Sequence, residues 1–171
     1  MAFPASIAVN PLMAEPTITL DISLDEAASQ RVSTFDVYWR SKCRDRKLPA
    51  RCDIDPAEIK PLLPNLLIAD IETAPFRVRY RLDGSETAGI NGSLTNQYLD
   101  QLDQQPPDLR AALTVAYQTS VSERRPVYSR HYVLLKSGLK WPATAGIWPL
   151  ANDNDGEITR CVALEDYPEL P

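Results

Sequence analysis

The sequence predicts an α+β domain: a five-stranded antiparallel sheet with helices inserted between its second and third strands, preceded by an N-terminal helix. Three observations carry this expectation. Phe76, Val78, Tyr80 and Leu82 alternate with Arg77, Arg79 and Arg81, the period of two that a half-buried strand requires. Three strand-like runs, 127–135, 140–150 and 157–165, are separated by Ser137-Gly138 and by the turn-rich stretch 152–156. Between these groups Leu109, Ala112, Leu113, Ala116, Tyr117, Ser120 and Val121 recur at helical spacing.

The elements follow in order. Residues 1–22 mix proline with short apolar pieces and read as an irregular arm. Ser23 and Glu26 have capping-box spacing, in which each side chain answers the other's free backbone N–H. Leu24, Ala28, Val32, Phe35 and Trp39 then form one apolar stripe, and Arg40, Lys42, Arg44, Arg46 and Lys47 suit the negative end of the helix dipole, so the helix spans 23–47. Asp55, Pro56 and Glu58 occupy the N-cap, first and third positions of one short turn, which Pro61 and Pro64 stop. Residues 65–72 and 76–82, joined by Thr73-Ala74-Pro75, make a hairpin. Short helical turns are expected around Ile90 and over Tyr98–Leu102, and Asp108 caps the longer helix, which Pro126 ends. Residues 48–167 thus form the sheet domain and 168–171 a tail.

Composition limits what such a domain can do. At 171 residues the chain can bury a core without staples. Its net charge of −5 argues against nucleic acid as the main partner, because phosphate binding needs an excess of Lys and Arg on the contact face. Three cysteines, Cys43, Cys52 and Cys161, are too few and odd in number for a disulfide framework, and free thiols fit a reducing, cytoplasmic address. No apolar run approaches the roughly 20 residues of a membrane span, and no secretory leader pattern opens the chain.

Few residues invite chemistry. His131 is the one histidine and falls on a strand, where a hydrogen-bonded or solvated role is the default. Asp53, Asp55 and Glu58 form an acidic cluster that helix capping explains, and Cys43 and Cys52 lack zinc-ligand spacing. The basic run Arg40–Arg51 reads as a solvated helix end, with anion binding as its sharper alternative. Tyr117, Tyr128 and Tyr132 pair apolar area with a hydroxyl, which suits either a small-ligand pocket or plain packing.

Several local motifs resemble a bacterial branch of PAS-like proteins: Tyr38-Trp39-Arg40, Leu48 to Pro56, Leu63-Pro64-Asn65-Leu66-Leu67-Ile68-Ala69-Asp70-Ile71-Glu72, and Phe76 to Gly84 around Arg79-Tyr80-Arg81-Leu82. The resemblance runs from about Val32 to Leu164 and implies the PAS sensor fold. It departs at Leu94-Thr95-Asn96, where the family tends to carry Leu-Thr-Gly; asparagine tolerates the positive φ that such a turn needs. It also implies that the second strand lies at a sheet edge, where Arg77, Arg79 and Arg81 would discourage edge-to-edge pairing. No cysteine lies in the Asn-Cys-Arg-Phe stretch of flavin photoreceptors, and no helix of the central segment carries a histidine for haem, so neither cofactor is expected.

The resemblance therefore implies a non-catalytic sensory or signalling module that binds a small ligand, a protein partner, or both. No kinase, cyclase or DNA-binding output segment fits in the remaining residues, so a partner or oligomerisation would carry the output. Ligand-pocket candidates are Ile90, Leu94, Tyr98, Leu113, Tyr117, Val121, Tyr128, Tyr132 and Leu134, on the surfaces of sheet and helices that must meet. Leu24, Val32, Phe35 and Trp39 form a stripe that either pairs with a second copy, the version slightly favoured, or folds over its own sheet. Two other classes remain: a small cone-shaped isomerase or dehydratase, which needs an ionisable residue on the helix-covered side of the sheet, and a purely structural dimerisation module with a filled core.

Overall fold

The computed structural model describes residues 17–153 and 156–169. Six strands form one antiparallel sheet: β1 (Thr19–Ile22), β2 (Leu66–Thr73), β3 (Phe76–Asp83), β4 (Val127–Leu134), β5 (Lys140–Ala151) and β6 (Ile158–Asp166). Their order is β1-β4-β5-β6-β2-β3. Four helices accompany them: α1 (Leu24–Ala27), α2 (Gln30–Cys43), α3 (Ser85–Asn91) and α4 (Pro107–Glu123). The α+β class is as expected, and α3 and α4 lie between β3 and β4, the second and third strands of the five-strand core.

Two differences from the sequence reading concern the N-terminal part. Residues 19–22 of the expected arm are a sixth strand, pairing Thr19 with Arg130 and Leu20 with Ser129 of β4; residues 1–16 lie outside the described residues. The single helix over 23–47 is two. Ser23 and Glu26 do form the capping box, with Glu26 N donating to Ser23 Oγ at 3.1 Å and Ser23 N to Glu26 Oε2 at 2.8 Å. However, Ala28 turns left-handed at φ 51°, and Ser29 caps a second helix by accepting from Val32 N at 3.1 Å.

That second helix settles where the apolar stripe goes. Val32 and Phe35 are 0% exposed and Trp39 is 3% exposed. They pack on the face of the sheet opposite α4, with the Phe35 ring centroid 4.6 Å from that of Trp148 on β5 and Trp39 Nε1 donating to Pro149 O at 3.2 Å. Leu24 is half-buried against the same core. The stripe is thus used up by its own sheet, which corrects the favoured expectation of a seam between copies. Asp36 sits among these rings, accepting from Trp148 Nε1 at 3.0 Å, from Arg40 Nε at 2.6 Å and from Tyr128 OH.

The motifs read as local structure behave accordingly. Asp55 Oδ1 accepts from Ala57 N at 2.9 Å at the head of a 3-10 turn over Pro56–Glu58. Asp53 accepts from Ala50 N and Arg46, and Glu58 from Lys42 and Tyr38, so two carboxylates of the acidic cluster pair with two cations of the basic run. Asn96 takes φ 67° in the family's glycine position. β3 lies at the sheet edge, where the backbone of residues 96 and 97 bonds both polar groups of Tyr80. Arg77 forms a two-pronged pair with Asp100, each contact 2.8 Å, and Arg81 lies 3.2 Å from Asp70. Among the described residues no helix is long and apolar enough to cross a membrane.

Candidate functional site: a buried polar cluster beneath the helices

Strand pleating decides which side chains can reach the space beneath α3 and α4. The β4–β5 register pairs Ser129 with Ala145 and His131 with Ala143, and the β5–β6 register pairs Ala145 with Glu165. Directly opposed residues share a face, so Ser129, His131, Val133, Cys161, Ala163 and Glu165 all point toward the helices. Tyr128 is one residue out of this phase and points to the other face, against Asp36 and Trp148. It is not a pocket residue, which corrects its placement with Tyr132 and Leu134. Tyr132 follows the strand edge instead and donates to Asp108 Oδ2 at 3.1 Å near the start of α4, while Leu134 is half-buried at the end of β4.

The remaining candidates divide. Leu94 and Leu113 line the interior; Tyr117 is 2% exposed and its hydroxyl meets that of Tyr80. Burial pushes both phenols up, and each hydroxyl stays neutral. Val121 packs half-buried on the same core. Ile90 belongs to a small separate cluster with Val133 and Ala143. Tyr98 lies outside: its ring sits 3.7 Å from the Arg77 guanidinium, and its hydroxyl donates to Glu72 Oε1 at 2.7 Å.

At the centre of the covered face stands a group that the sequence reading did not select. Glu165, on β6, is 8% exposed. Its Oε2 accepts from Asn91 Nδ2 at 3.2 Å and from Tyr167 OH, and its Oε1 lies 3.5 Å from His131 Nε2. That last approach is long and poorly aligned, so His131 Nε2 has no hydrogen bond although it is buried. The other ring nitrogen, Nδ1, lies 3.3 Å from Ser129 Oγ. Burial alone would push the Glu165 carboxyl up; its contacts with His131, Tyr167 and Asn91 outweigh that and hold it below the ordinary carboxylate value. The cluster extends through Gln105, whose Nε2 donates to Asn91 Oδ1 at 3.4 Å and to Leu134 O at 3.3 Å, while its Oε1 accepts from Leu134 N at 3.0 Å. The carboxamide thus continues the β4 edge where none of the described strands pairs it.

Beside this cluster lies a cavity of about 20 Å³. Tyr80, Asn91, Gln105, Arg110 and Glu165 supply its polar wall; Leu94, Leu99, Leu102, Leu109 and Leu113 supply the apolar one. The volume suits about one water molecule. Arg110 Nε, also buried, has no hydrogen-bond partner. Asn91 additionally lines an outer groove of about 510 Å³ bounded by Gln97, Gln104, Leu134 and Lys136, so it borders both the interior cavity and the open groove.

An ionisable pair therefore does face the helix-covered side, which is the feature an enzyme of the isomerase type requires. Ser129, His131 and Glu165 even lie in hydrolase-like sequence, nucleophile to base to carboxylate. Yet all three are more than nine-tenths buried, Ser129 and His131 do not line the small cavity, and Glu165, which does, is already engaged by Tyr167 and Asn91. No substrate carbonyl could stand within reach of Ser129 without rebuilding the core. Among the described residues no group of three or more His, Cys, Asp or Glu side chains could hold a metal ion.

The PAS domain family profile matches residues 27–127. The chain belongs to the PAS domain family. Solved PAS structures share its fold at low identity. VqmA of Vibrio cholera, in a ligand–DNA complex, is 8% identical, with a TM-score of 0.52 over 67% of this chain and 51% of its own. The Vibrio cholerae VqmA dimer without target DNA is 10% identical, with a TM-score of 0.51 over 68% and 52% respectively. An RNA-binding light-oxygen-voltage receptor is 14% identical, with a TM-score of 0.48 over 66% of this chain and 32% of its own. The chain thus spans about a third of that receptor and about half of VqmA. No curated protein sequence matches it. PAS domains are typically sensory, and the matched span runs from the end of α1 through α2 to the first residue of β4.

Proposed function

We propose that this chain is a non-catalytic PAS sensory module that takes a small polar ligand between the sheet and α3–α4, and passes its state to a protein partner. The observation that carries this reading is the convergence of Asn91, Gln105, Arg110 and Glu165 on one cavity inside an otherwise apolar interior. Buried polar groups cost stability unless satisfied, and the side-chain nitrogen Arg110 Nε still lacks a partner there. A few placed polar groups in an apolar wall are also what orients a small ligand. VqmA, of the same fold, is seen bound to the ligand DPO. The cavity's size means that anything larger than a water must displace Leu113 or move α4.

The test is a thermal-shift screen of small polar compounds with native mass spectrometry, run on the parent and on Leu113→Ala, which deepens the cavity. A ligand of this site raises the Tm of both proteins, and more in Leu113→Ala; at a hundredfold excess over Kd the gain is about 2.7 kcal/mol. If no compound shifts either protein and none co-purifies, the ligand reading fails. The filled-core alternative, a module that only docks partners, then takes its place.

A further inference from the structure

The wall of the small cavity beside Glu165 carries open hydrogen-bonding positions of both kinds. Arg110, on α4, is anchored at the outer end of its guanidinium: Nη1 donates to Asp100 O at 2.8 Å and lies 3.8 Å from Asp103. Its Nε–H is buried and makes no hydrogen bond. Tyr80 and Tyr117 meet through their hydroxyls, and burial keeps both neutral. Two hydroxyls joined by one hydrogen bond leave one O–H proton over. Hydroxyl protons rotate to suit their surroundings, and Tyr80 is the member of the pair that lines the cavity, so that proton can be presented there. On the acceptor side, Glu165 Oε1 has His131 Nε2 at 3.5 Å, too long and misaligned for a hydrogen bond. The contacts of Glu165 hold it ionised, so it accepts and does not donate. Two donors and one acceptor therefore border a single small space.

We propose that this cavity is a hydroxyl site: it binds one water in the unliganded protein, and the ligand of the domain is a neutral alcohol or phenol whose O–H replaces that water between Arg110, Tyr80 and Glu165. This rests on the ligand reading above and names its chemistry. The volume of about 20 Å³ accepts one oxygen-sized group. A hydroxyl accepts up to two hydrogen bonds and donates one, which matches two donors and one acceptor. An ammonium group accepts nothing and stands against the Arg110 guanidinium. A carboxylate answers Arg110 but meets the ionised Glu165 where charge is poorly screened. A halide leaves Glu165 without a donor. Displacing an ordered water loses affinity unless the incoming group reproduces its hydrogen bonds, and a hydroxyl reproduces them. The carbon body of the ligand takes the place of Leu113, which is half-buried, whereas Leu94, Leu99, Leu102 and Leu109 in the same wall are buried.

Leu113→Ala removes an isopropyl group, so probes built on that group isolate the polar head. Isobutanol, isobutylammonium, isobutyrate and 1-chloro-2-methylpropane share the same branched carbon body. In NMR titrations of full-length Leu113→Ala, isobutanol should bind about tenfold or more tighter than the other three, and should shift the Arg110 Nε–H and the Asn91 side-chain amide. Adding Glu165→Gln should weaken isobutanol by about tenfold, the loss of a charge-assisted hydrogen bond, and tighten isobutyrate, which no longer faces a like charge. The parent chain gives a reading that needs no truncation: the Arg110 Nε–H should show a nuclear Overhauser contact to a long-lived water. An Arg110 Nε–H without that contact, exchanging freely with bulk solvent, overturns the water and the hydroxyl site with it. If isobutylammonium or isobutyrate binds Leu113→Ala most tightly, the hydroxyl chemistry is overturned and the ligand site stands. If the chloride binds as tightly as isobutanol, the space is merely apolar and the proposal is overturned. Binding of none of the four also overturns it, while the compound screen on the parent judges the ligand reading independently.

Discussion

Phe35 and Val37 lie two residues apart on α2 and should respond oppositely to substitution. Phe35 is 0% exposed, its ring 4.6 Å from Trp148 and 5.8 Å from Tyr38; Val37 is 69% exposed. Truncating a buried phenylalanine costs its transfer energy plus the cavity left behind, about 3–5 kcal/mol. Collapse is restricted here, because the Trp148 indole is pinned by Asp36 and the sheet backbone beneath it cannot close in. Phe35→Ala should therefore lower stability by about 4 kcal/mol. With a urea slope of about 2 kcal/mol/M, the unfolding midpoint falls by about 2 M. Val37→Asp should stay within about 0.5 kcal/mol of the parent. Light scattering on each protein before unfolding completes the assay: neither substitution should change the mass. If Phe35→Ala cost under about 1 kcal/mol, or if it turned a dimer into a folded monomer, the stripe would be a seam between copies and the covered sheet face would be wrong.

Other outcomes follow from single contacts. A Cβ on Gly146 would stand 2.2 Å from the Trp148 ring, so Gly146→Ala must push the indole off the outer face; a loss of about 1–3 kcal/mol with an altered tryptophan spectrum is expected, and a silent Gly146→Ala would contradict the packing of α2. Glu165 gives an acid limb to stability. Its folded carboxyl titrates below its unfolded value, so its contribution is complete above about pH 4.5 and disappears as the pH falls through the lower folded value. Glu165→Gln should flatten that limb below about pH 5 in urea titrations, and an unchanged slope would show that Glu165 is not held by its partners.

Much of this was legible in the residues, for identifiable reasons. Period-two alternation located β3, the capping box located the start of α1, and Asp55-Pro56 located the 3-10 turn, because each is a local geometry that a few side chains specify. Strand phase was harder. Tyr128, Tyr132 and Leu134 share a parity, and an apolar parity looks like a pocket face; but β4 is buried on both faces, and the parity that points to α3 and α4 carries Ser129, His131 and Val133. Glu165 was hidden for the same reason: in Cys161-Val162-Ala163-Leu164-Glu165 both phases are greasy, so only cross-strand register reveals which one the carboxylate joins. The break at Ala28 was masked because alanine is a strong helix former; the signal that marks it is Ser29, the N-cap of the second helix.

The two faces of the sheet bury charge on different terms, and that difference bears on where a signal can act. On the outer face Asp36 is answered by Arg40, which is 59% exposed at its side chain, and by two aromatic donors; every partner is fixed on α2 or the strands beneath it. Removing one leaves the rest in place, so this cluster stabilises without switching. On the inner face Glu165 is answered by Asn91 at the end of α3, by His131 at 3.5 Å, and by Tyr167 beyond the last strand. These partners sit on three different segments, and two nearby buried nitrogens, His131 Nε2 and Arg110 Nε, have no hydrogen bond. A network with unmet hydrogen-bonding capacity can gain more from an incoming polar group than a satisfied one can. If the domain responds to a ligand, the inner cluster is where the free energy of that response is available.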